Sequence, residues 1–333
     1  MLANKRMKFK DGILVLTYPS HVVIQYYKAI KLERSEHIEK AIERLKTGCY
    51  PREVYEVLGQ TDGNHLLNVL HRMDALIEVW ENQYMDDMTE RQLYYFEQYG
   101  GNPNDFQKRL ENSTVAILGM GGVGSVILQH LVSAGVQQYL LIDYDEVSIH
   151  NLNRQFIYDR SSVGKPKVAE CKYYISRMNN NAKVQVLHKQ ITSLKDLRCF
   201  DEFDIDIIVN AADKPVDISD WVYRYSKERN IAFITGGVGM SNGQWGPLLN
   251  QESYQAEICY EKMKNKDLIS FFPSEPLKGS LGATNSIISA FMSRDIILYL
   301  AGLTPKSLNT SISLQFDSLK MIETKWTAKG TVS

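Results

Sequence analysis

A short apolar run, Val-Ala-Ile-Leu at 115–118, passes directly into Gly119-Met-Gly121-Gly122-Val-Gly124 and then into a stretch with helical spacing. Few features limit the possible folds of a chain as much as this one. Glycines at these positions let the backbone turn sharply at the end of a strand and come close to a phosphate. The helix that follows offers unsatisfied N–H groups and the positive end of its dipole. A second apolar strand, Tyr-Leu-Leu-Ile at 139–142, ends on Asp143, and a carboxylate about 20 residues beyond such a loop suits a ribose hydroxyl. The pattern predicts a bound adenine nucleotide. The loop alone does not choose among NAD, FAD and ATP.

From residue 113 onward, apolar runs alternate with segments of helical period. Strands are expected at 114–118, 138–143, 183–187, 205–210 and 231–235, and helices at 123–134, 165–178, 214–229 and 284–301. This order predicts an α/β domain with a mostly parallel sheet and helices on both faces. Residues 311–326 alternate apolar and polar side chains in two runs, which predicts a closing antiparallel hairpin, and 260–283 reads as a long loop.

The first part of the chain has a different texture. Two strands are expected at 12–17 and 21–27 around Tyr18-Pro19-Ser20. Ser35 then opens a helix carrying Ile38, Ile42 and Leu45 and ending near Gly48; Pro51 starts a second helix with Val54, Val57 and Leu58; Asn64 is read as the cap of a third with Leu66, Leu67, Leu70 and Met73. That is the outline of a small α+β, winged-helix-like module, with a helical dimerisation or lid segment as the alternative. The boundary is placed between 1–88 and 89–333.

A chain of 333 residues has room for two such domains. Lys and Arg number 38 against 39 Asp and Glu, so no global basic field points to nucleic acid. No apolar run reaches the ~18 residues that cross a bilayer, and the N-terminus has no signal-type apolar region. The four cysteines, Cys49, Cys171, Cys199 and Cys259, form no CxxC pair, as suits a reducing cytosol. A cytoplasmic protein without membrane or nucleic-acid partners is the expectation.

The residues after the second strand narrow the chemistry. Asp143-Tyr-Asp145 is followed by Asn151-Leu-Asn-Arg154-Gln155 and by Val-Gly-Lys-Pro-Lys at 163–167. Hydride transfer needs no arginine and lysine there. Attack at the α-phosphate of ATP does, because cations must hold the polyphosphate and offset the charge that develops on it. Arg154 offers a planar fork and Lys167 a movable point charge. Asp213 ends the fourth strand, where ligands sit in open parallel sheets. There it is read either as a magnesium ligand or as the cap of the next helix.

This constellation resembles the ubiquitin-activating-like superfamily, which includes the bacterial ThiF- and MoeB-type enzymes of thiamin and molybdopterin sulfur transfer. The resemblance spans roughly 89–325 and is most specific at DYDEVSIHNLNRQF, VGKPK and AAD. It implies a dimeric Rossmann-like enzyme that adenylates a carboxylate with ATP and magnesium. Asp143 would hold ribose, and Asn151, Arg154 and Lys167 the phosphates, with Gly122, Asp145 and Gln155 joining the nucleotide set. Asp213 would bind magnesium or polarise the attacking carboxylate. Arg91 occupies the place of an arginine that members offer to the partner subunit's ATP, so a homodimer completed in trans is implied.

Sulfur-transfer members carry two CxxC pairs around a structural zinc. Here Cys259-Tyr-Glu-Lys262 keeps one cysteine of one pair, so no zinc site is expected. The 268–285 region offers no cysteine for a thioester. The small N-terminal module in front of an adenylating domain is similar in layout to the enzymes of microcin C and pantocin A biosynthesis, and the missing zinc cysteines fit the pantocin type better. That layout implies a precursor peptide whose leader is gripped along a strand edge near 21–27. A peptide carboxylate, best a glutamate side chain, would be adenylated and then cyclised with loss of water. Adenylyl transfer to a peptide C-terminus and activation of a Gly-Gly-ended sulfur carrier are the alternatives.

Overall fold

The computed structural model describes residues 4–258 and 279–328 and divides into two compact units, Met1–Gln107 and Lys108–Ser333. The N-terminal unit opens with β1 (Met7–Phe9), β2 (Leu14–Thr17), β3 (His21–Gln25) and β4 (Ala29–Glu33). Three helices follow, α1 (Glu36–Thr47), α2 (Pro51–Leu58) and α3 (Gln60–Arg72), then β5 (Leu76–Glu78), α4 (Glu90–Phe96) and α5 (Pro103–Asn112), the last running across the division between units. β2, β3 and β4 form an antiparallel meander, and β1 pairs with β5.

Local chemistry sets the helix ends. The Ser35 hydroxyl accepts from the Ile38 N–H at 3.2 Å, and Gly48 closes α1 at a φ of +93°. Ala41, Ile42 and Leu45 face the small core with Val22, Ile24, Val54 and Leu70. Asn64 is not the start of α3, which begins four residues earlier, at Gln60. Gly63 looks like a breaker in the sequence, yet it is buried against Tyr55, whose ring lies 2.7 Å from where a Cβ would stand. Close approach between helices outweighs its poor helix propensity. β3 pairs on both sides, so residues 21–27 present no free edge; the open edges of this sheet are β2 and β4.

The second unit contains β6 (Thr114–Leu118), α6 (Gly124–Ser133), β7 (Gln138–Ile142), α7 (Lys167–Met178), β8 (Lys183–Leu187), β9 (Ile207–Asn210) and α8 (Ile218–Arg229). It continues with β10 (Ala232–Val238), β11 (Asn242–Leu249), α9 (Gln251–Gln255), α10 (Gly282–Leu300), β12 (Thr310–Gln315) and β13 (Met321–Lys325). One eight-stranded sheet runs β8-β7-β6-β9-β10-β11-β12-β13. The five strands from β8 to β10 are parallel, and the last three join antiparallel. β6, β7 and β9 are buried almost throughout because helices cover both faces. Strand order reverses between β6 and β9, the switch point where open α/β sheets bind ligands.

The expected mostly parallel α/β sheet with its final hairpin is present. Two details differ. Residues 214–217 lie outside α8, in the loop that leaves β9. Residues 242–249, outside the expected strands, are strand β11, where Gly243 leaves room for Ile288 of α10 to pack directly on the backbone. Cys259 and the long loop expected over 260–283, as far as residue 278, lie outside the described residues. No helix among the described residues is long and apolar enough to cross a membrane.

Candidate nucleotide-binding site

A cavity of about 600 Å³ opens at the carboxyl ends of β6, β7 and β9. Its floor is the loop between β6 and α6. Gly119 has a φ of +93°, and a Cβ there would stand 2.8 Å from the Ala212 nitrogen, so both conformation and space require glycine. A Cβ on Gly124 would collide with the Gly119 carbonyl oxygen, which is why the third glycine is needed where the helix begins. Met120, fully buried, holds the loop down. Its N–H donates to Asp143 Oδ2 at 2.5 Å, and its carbonyl accepts from the Tyr158 hydroxyl at 2.9 Å.

Asp143 sits at the end of β7, 8% exposed, and its Oδ1 accepts from the Asp145 N–H at 2.8 Å. Burial raises its carboxyl above the usual carboxylate range, opposed by the Lys167 charge and by the N–H donors of Asp145 and Met120. Lys167 opens α7 and is 4% exposed; its Nζ lies 2.8 Å from Asp145 Oδ2. Asn151 is buried, its Oδ1 taking the Ser148 N–H at 2.9 Å. Arg154 donates to the His150 carbonyl at 2.9 Å and to Asn153 Oδ1 at 3.0 Å. Gln155 is 2% exposed, and its Oε1 is buried without a hydrogen-bond partner among the described residues. An orphaned acceptor lining a cavity is what a ligand donor would satisfy.

The structure therefore brings Gly119, Gly121, Gly122, Asp143, Asp145, Asn151, Arg154, Gln155, Lys167 and Asp213 onto one cavity wall set. Gly124 supports that wall from the helix start. Arg91 belongs to α4 of the N-terminal unit, where it is exposed. Asp213 is exposed in the loop after β9; the residue at the start of α8 is Asp217, so the capping reading of Asp213 fails. Gly236 and Gly237, whose glycine-rich segment at 236–249 is similar to that of the peptide-modifying enzymes and implies room for a peptide near the nucleotide, leave a side-chain-free stretch on the wall. Five other residues escaped the sequence reading: Ile191 and Ile218 give an apolar patch, Lys189 and Lys214 add cations, and Asn285 closes the wall from α10. Only Asn285 had a signal, a polar residue in a largely apolar helix. The Cys171 thiol is fully buried against Tyr158 and pushed up to about 12 by burial, which removes it as a nucleophile.

The N-terminal unit holds a second concavity, about 720 Å³, between β4 and the three helices. Ile30, Leu32, Ile38, Val57, Leu66 and Val69 supply its apolar lining, and Lys31, His37, Asp62 and His65 its polar groups.

The sequence profile of the ThiF family matches residues 90–330. Among curated proteins, the adenylyltransferase and sulfurtransferase MOCS3 of Aedes aegypti is 35% identical over 59% of this chain and 44% of its own length. The molybdopterin-synthase adenylyltransferase of Escherichia coli is 26% identical over 60% of this chain and 77% of its own length. The chain spans less than half the length of the first curated relatives it matches. Two solved structures share the whole fold. E. coli MccB, crystallised with ATP, superposes with a TM-score of 0.84 over 98% of this chain and 99% of that one at 24% identity. PaaA superposes at 0.71 over 96% of this chain and 100% of that one at 19% identity.

Proposed function

The chain belongs to the ThiF family, and from that premise we propose that it is an ATP-dependent enzyme that adenylates a carboxylate of a ribosomally made precursor peptide. The observation that carries the reading is the convergence of Arg154, Lys167 and Asp213 on the cavity that also holds the glycine loop and Asp143. Hydride transfer has no use for the first three. In the proposed reaction a carboxylate oxygen bonds to the α-phosphorus and pyrophosphate leaves. An amide nitrogen of the peptide then attacks the acyl carbon, AMP departs, and a ring closes with net loss of water.

The roles follow from position. Asp143 accepts from ribose, and the glycine loop, Asn151, Arg154 and Lys167 hold the phosphates. Asp213 is the carboxylate for magnesium. No cluster of three metal-ligating side chains exists among the described residues. One exposed aspartate is nevertheless enough for an ion held mainly by a polyphosphate, since magnesium is usually bound by one or two carboxylates plus substrate phosphates. The ion would offset polyphosphate charge when bound. Gly236 and Gly237 leave the peptide side open. Cyclisation through a glutamate side chain is the favoured outcome; adenylyl transfer to a peptide C-terminus is the other.

The leader segment is assigned to the N-terminal groove. β4 has an unpaired edge and the concavity beside it has an aliphatic lining, so an extended peptide adds a strand at β4 rather than at β3. Arg91 is assigned to the partner subunit's site in a homodimer.

ATP–pyrophosphate exchange with short peptides encoded near the gene tests the reading. Peptide-dependent exchange, abolished by Asp213→Ala with leader binding intact, supports it, and mass spectrometry separates water loss from retained AMP. Exchange driven only by a Gly-Gly-ended carrier protein transfers the answer to sulfur-carrier activation. Arg91→Ala mixed with Lys167→Ala should recover activity in mixed dimers; failure to recover removes the in-trans role.

A further inference from the structure

Asn285 is the one polar contributor that α10 makes to the cavity wall. It is 5% exposed, on a helix whose buried residues mix Ile288, Met292, Ile296, Leu298 and Leu300 with Ser289, Ser293 and Asp295. Its Nδ2 donates to Ser280 Oγ at 3.0 Å and to the Leu281 carbonyl at 2.8 Å. Its Oδ1 lies against Gly122, only 2.5 Å from where a Cβ would stand on that glycine. The next link is Asn153, whose Nδ2 donates to the Ser280 carbonyl at 3.1 Å while its Oδ1 accepts from Arg154 at 3.0 Å. Gly282 completes the contact: a Cβ there would meet the Asn153 carbonyl at 2.5 Å and the Phe156 ring at 2.6 Å.

These contacts form a closed chain from the glycine loop through Asn285, Ser280 and Asn153 to the guanidinium of Arg154. Packing alone does not call for an amide here. A leucine has the same number of side-chain heavy atoms and the same branching, whereas burying an amide is favourable only when its polar atoms are bonded. The amide also explains the second glycine of Gly121-Gly122, which neither the strained turn at Gly119 nor the close packing at Gly124 requires.

We propose that Asn285 is a positioning residue for the adenylation reaction. It fixes the glycine loop, the Arg154 turn and the residues entering α10 in one arrangement, so that Arg154 meets the phosphates in the orientation the displacement needs. The proposal rests on the adenylation reading above. Arg154 reaches phosphate through a directional fork, so its orientation matters more than its mere presence, and the loss should fall on turnover rather than on ATP affinity.

Four variants of the full chain test this: Asn285→Leu, Asn285→Ala, Gly122→Ala and the double Gly122→Ala/Asn285→Ala. They are compared by thermal unfolding, by calorimetric ATP binding and by peptide-dependent pyrophosphate exchange. Asn285→Leu keeps the branched outline and loses the bonds; its exchange turnover at saturation is expected to fall about tenfold or more, the scale of a sub-ångström misplacement of a catalytic group, with KM for ATP much less changed. Gly122→Ala is expected to lose ATP affinity and the double variant to regain it, while its turnover stays low. Turnover of Asn285→Leu equal to that of the unsubstituted chain overturns the proposal. So does a double variant that binds ATP no better than Gly122→Ala. If the unsubstituted chain catalyses no exchange with peptide or carrier, the adenylation reading falls with the catalytic role. The ATP-binding rescue then reports separately on whether Asn285 shapes the nucleotide site.

Discussion

The two concavities of this protein are similar in size and opposite in construction. The cavity of about 600 Å³ in the C-terminal unit is defined by backbone: Gly119 and Gly124 with no clearance for one more carbon, Asp143 capped by N–H groups, and a buried lysine paired to an aspartate. The groove of about 720 Å³ in the N-terminal unit is defined by an outer strand edge and aliphatic side chains. The difference teaches what each can recognise. A site built from fixed dipoles discriminates charge and geometry, and so suits an invariant ligand such as a nucleotide. One built from a strand edge reads backbone first and side chains loosely, and so suits a peptide.

The largest expected effect comes from removing charge at the rigid site. Lys167→Ala should lower exchange turnover by about 10²–10³-fold, the typical loss when one preorganised charge-stabilising donor is deleted, while a fluorescent leader peptide binds as before. If leader binding falls equally, the two sites are not independent and the contrast breaks down. Next comes a single methyl group. Gly124→Ala places a carbon on the Gly119 carbonyl and should cost about 1–3 kcal/mol of stability, as overpacking does, together with most ATP binding. Gly237→Ala meets nothing within 4 Å and should leave both quantities unchanged. Melting curves and ATP titration on this pair measure how local the tight packing is.

At the groove, one side chain should matter less. Leu32→Glu on β4 is expected to weaken leader binding about tenfold, or about 1.4 kcal/mol, raising KM for the peptide with turnover at saturation unchanged. A fall in turnover instead would mean that the groove does more than hold the leader.

The smallest effect is pH-dependent. Burial raises the Asp143 carboxyl, so its protonated form persists to higher pH than in a free aspartate. As pH falls through that raised value, the carboxylate is lost as an acceptor, and ATP affinity should decline a few-fold at a pH where an ordinary aspartate is still ionised. The stability term has the opposite sign. An acid whose folded pKa is raised favours the folded state when protonated, so its contribution is present at low pH and lost as pH rises through the folded pKa. Calorimetry and unfolding followed over the same acid range separate the two, and Asp143→Asn should flatten both.

Much of the rigid site was legible in the sequence because its parts are local. Gly119 to Gly124, Asp143 and the Asn151–Gln155 turn are each tied to the end of a neighbouring strand, and strand ends are set by runs of apolar residues. Asn285 was harder to read because it reaches the cavity from α10, far away in sequence. In the N-terminal unit the helices were readable from Ser35, Pro51 and their apolar spacing. The start of α3 was misread because the packing of Gly63 on Tyr55 is a contact between helices. The strand at 21–25 turned out to be paired on both sides because β4, whose charged residues Lys31 and Glu33 alternate with Ile30 and Leu32, was not recognised as a third strand.

By itself the sequence determined the order of strands and helices, the glycine loop and the set of charged residues after the second strand, because periodicity and backbone conformation act over a few residues. Only the tertiary structure decided which strand edge stays open, which side chain makes Gly122 a glycine, and which carboxyl burial raises above the usual carboxylate range. Those outcomes depend on what packs against each group, and packing partners come from elements that the chain brings together only after it has folded.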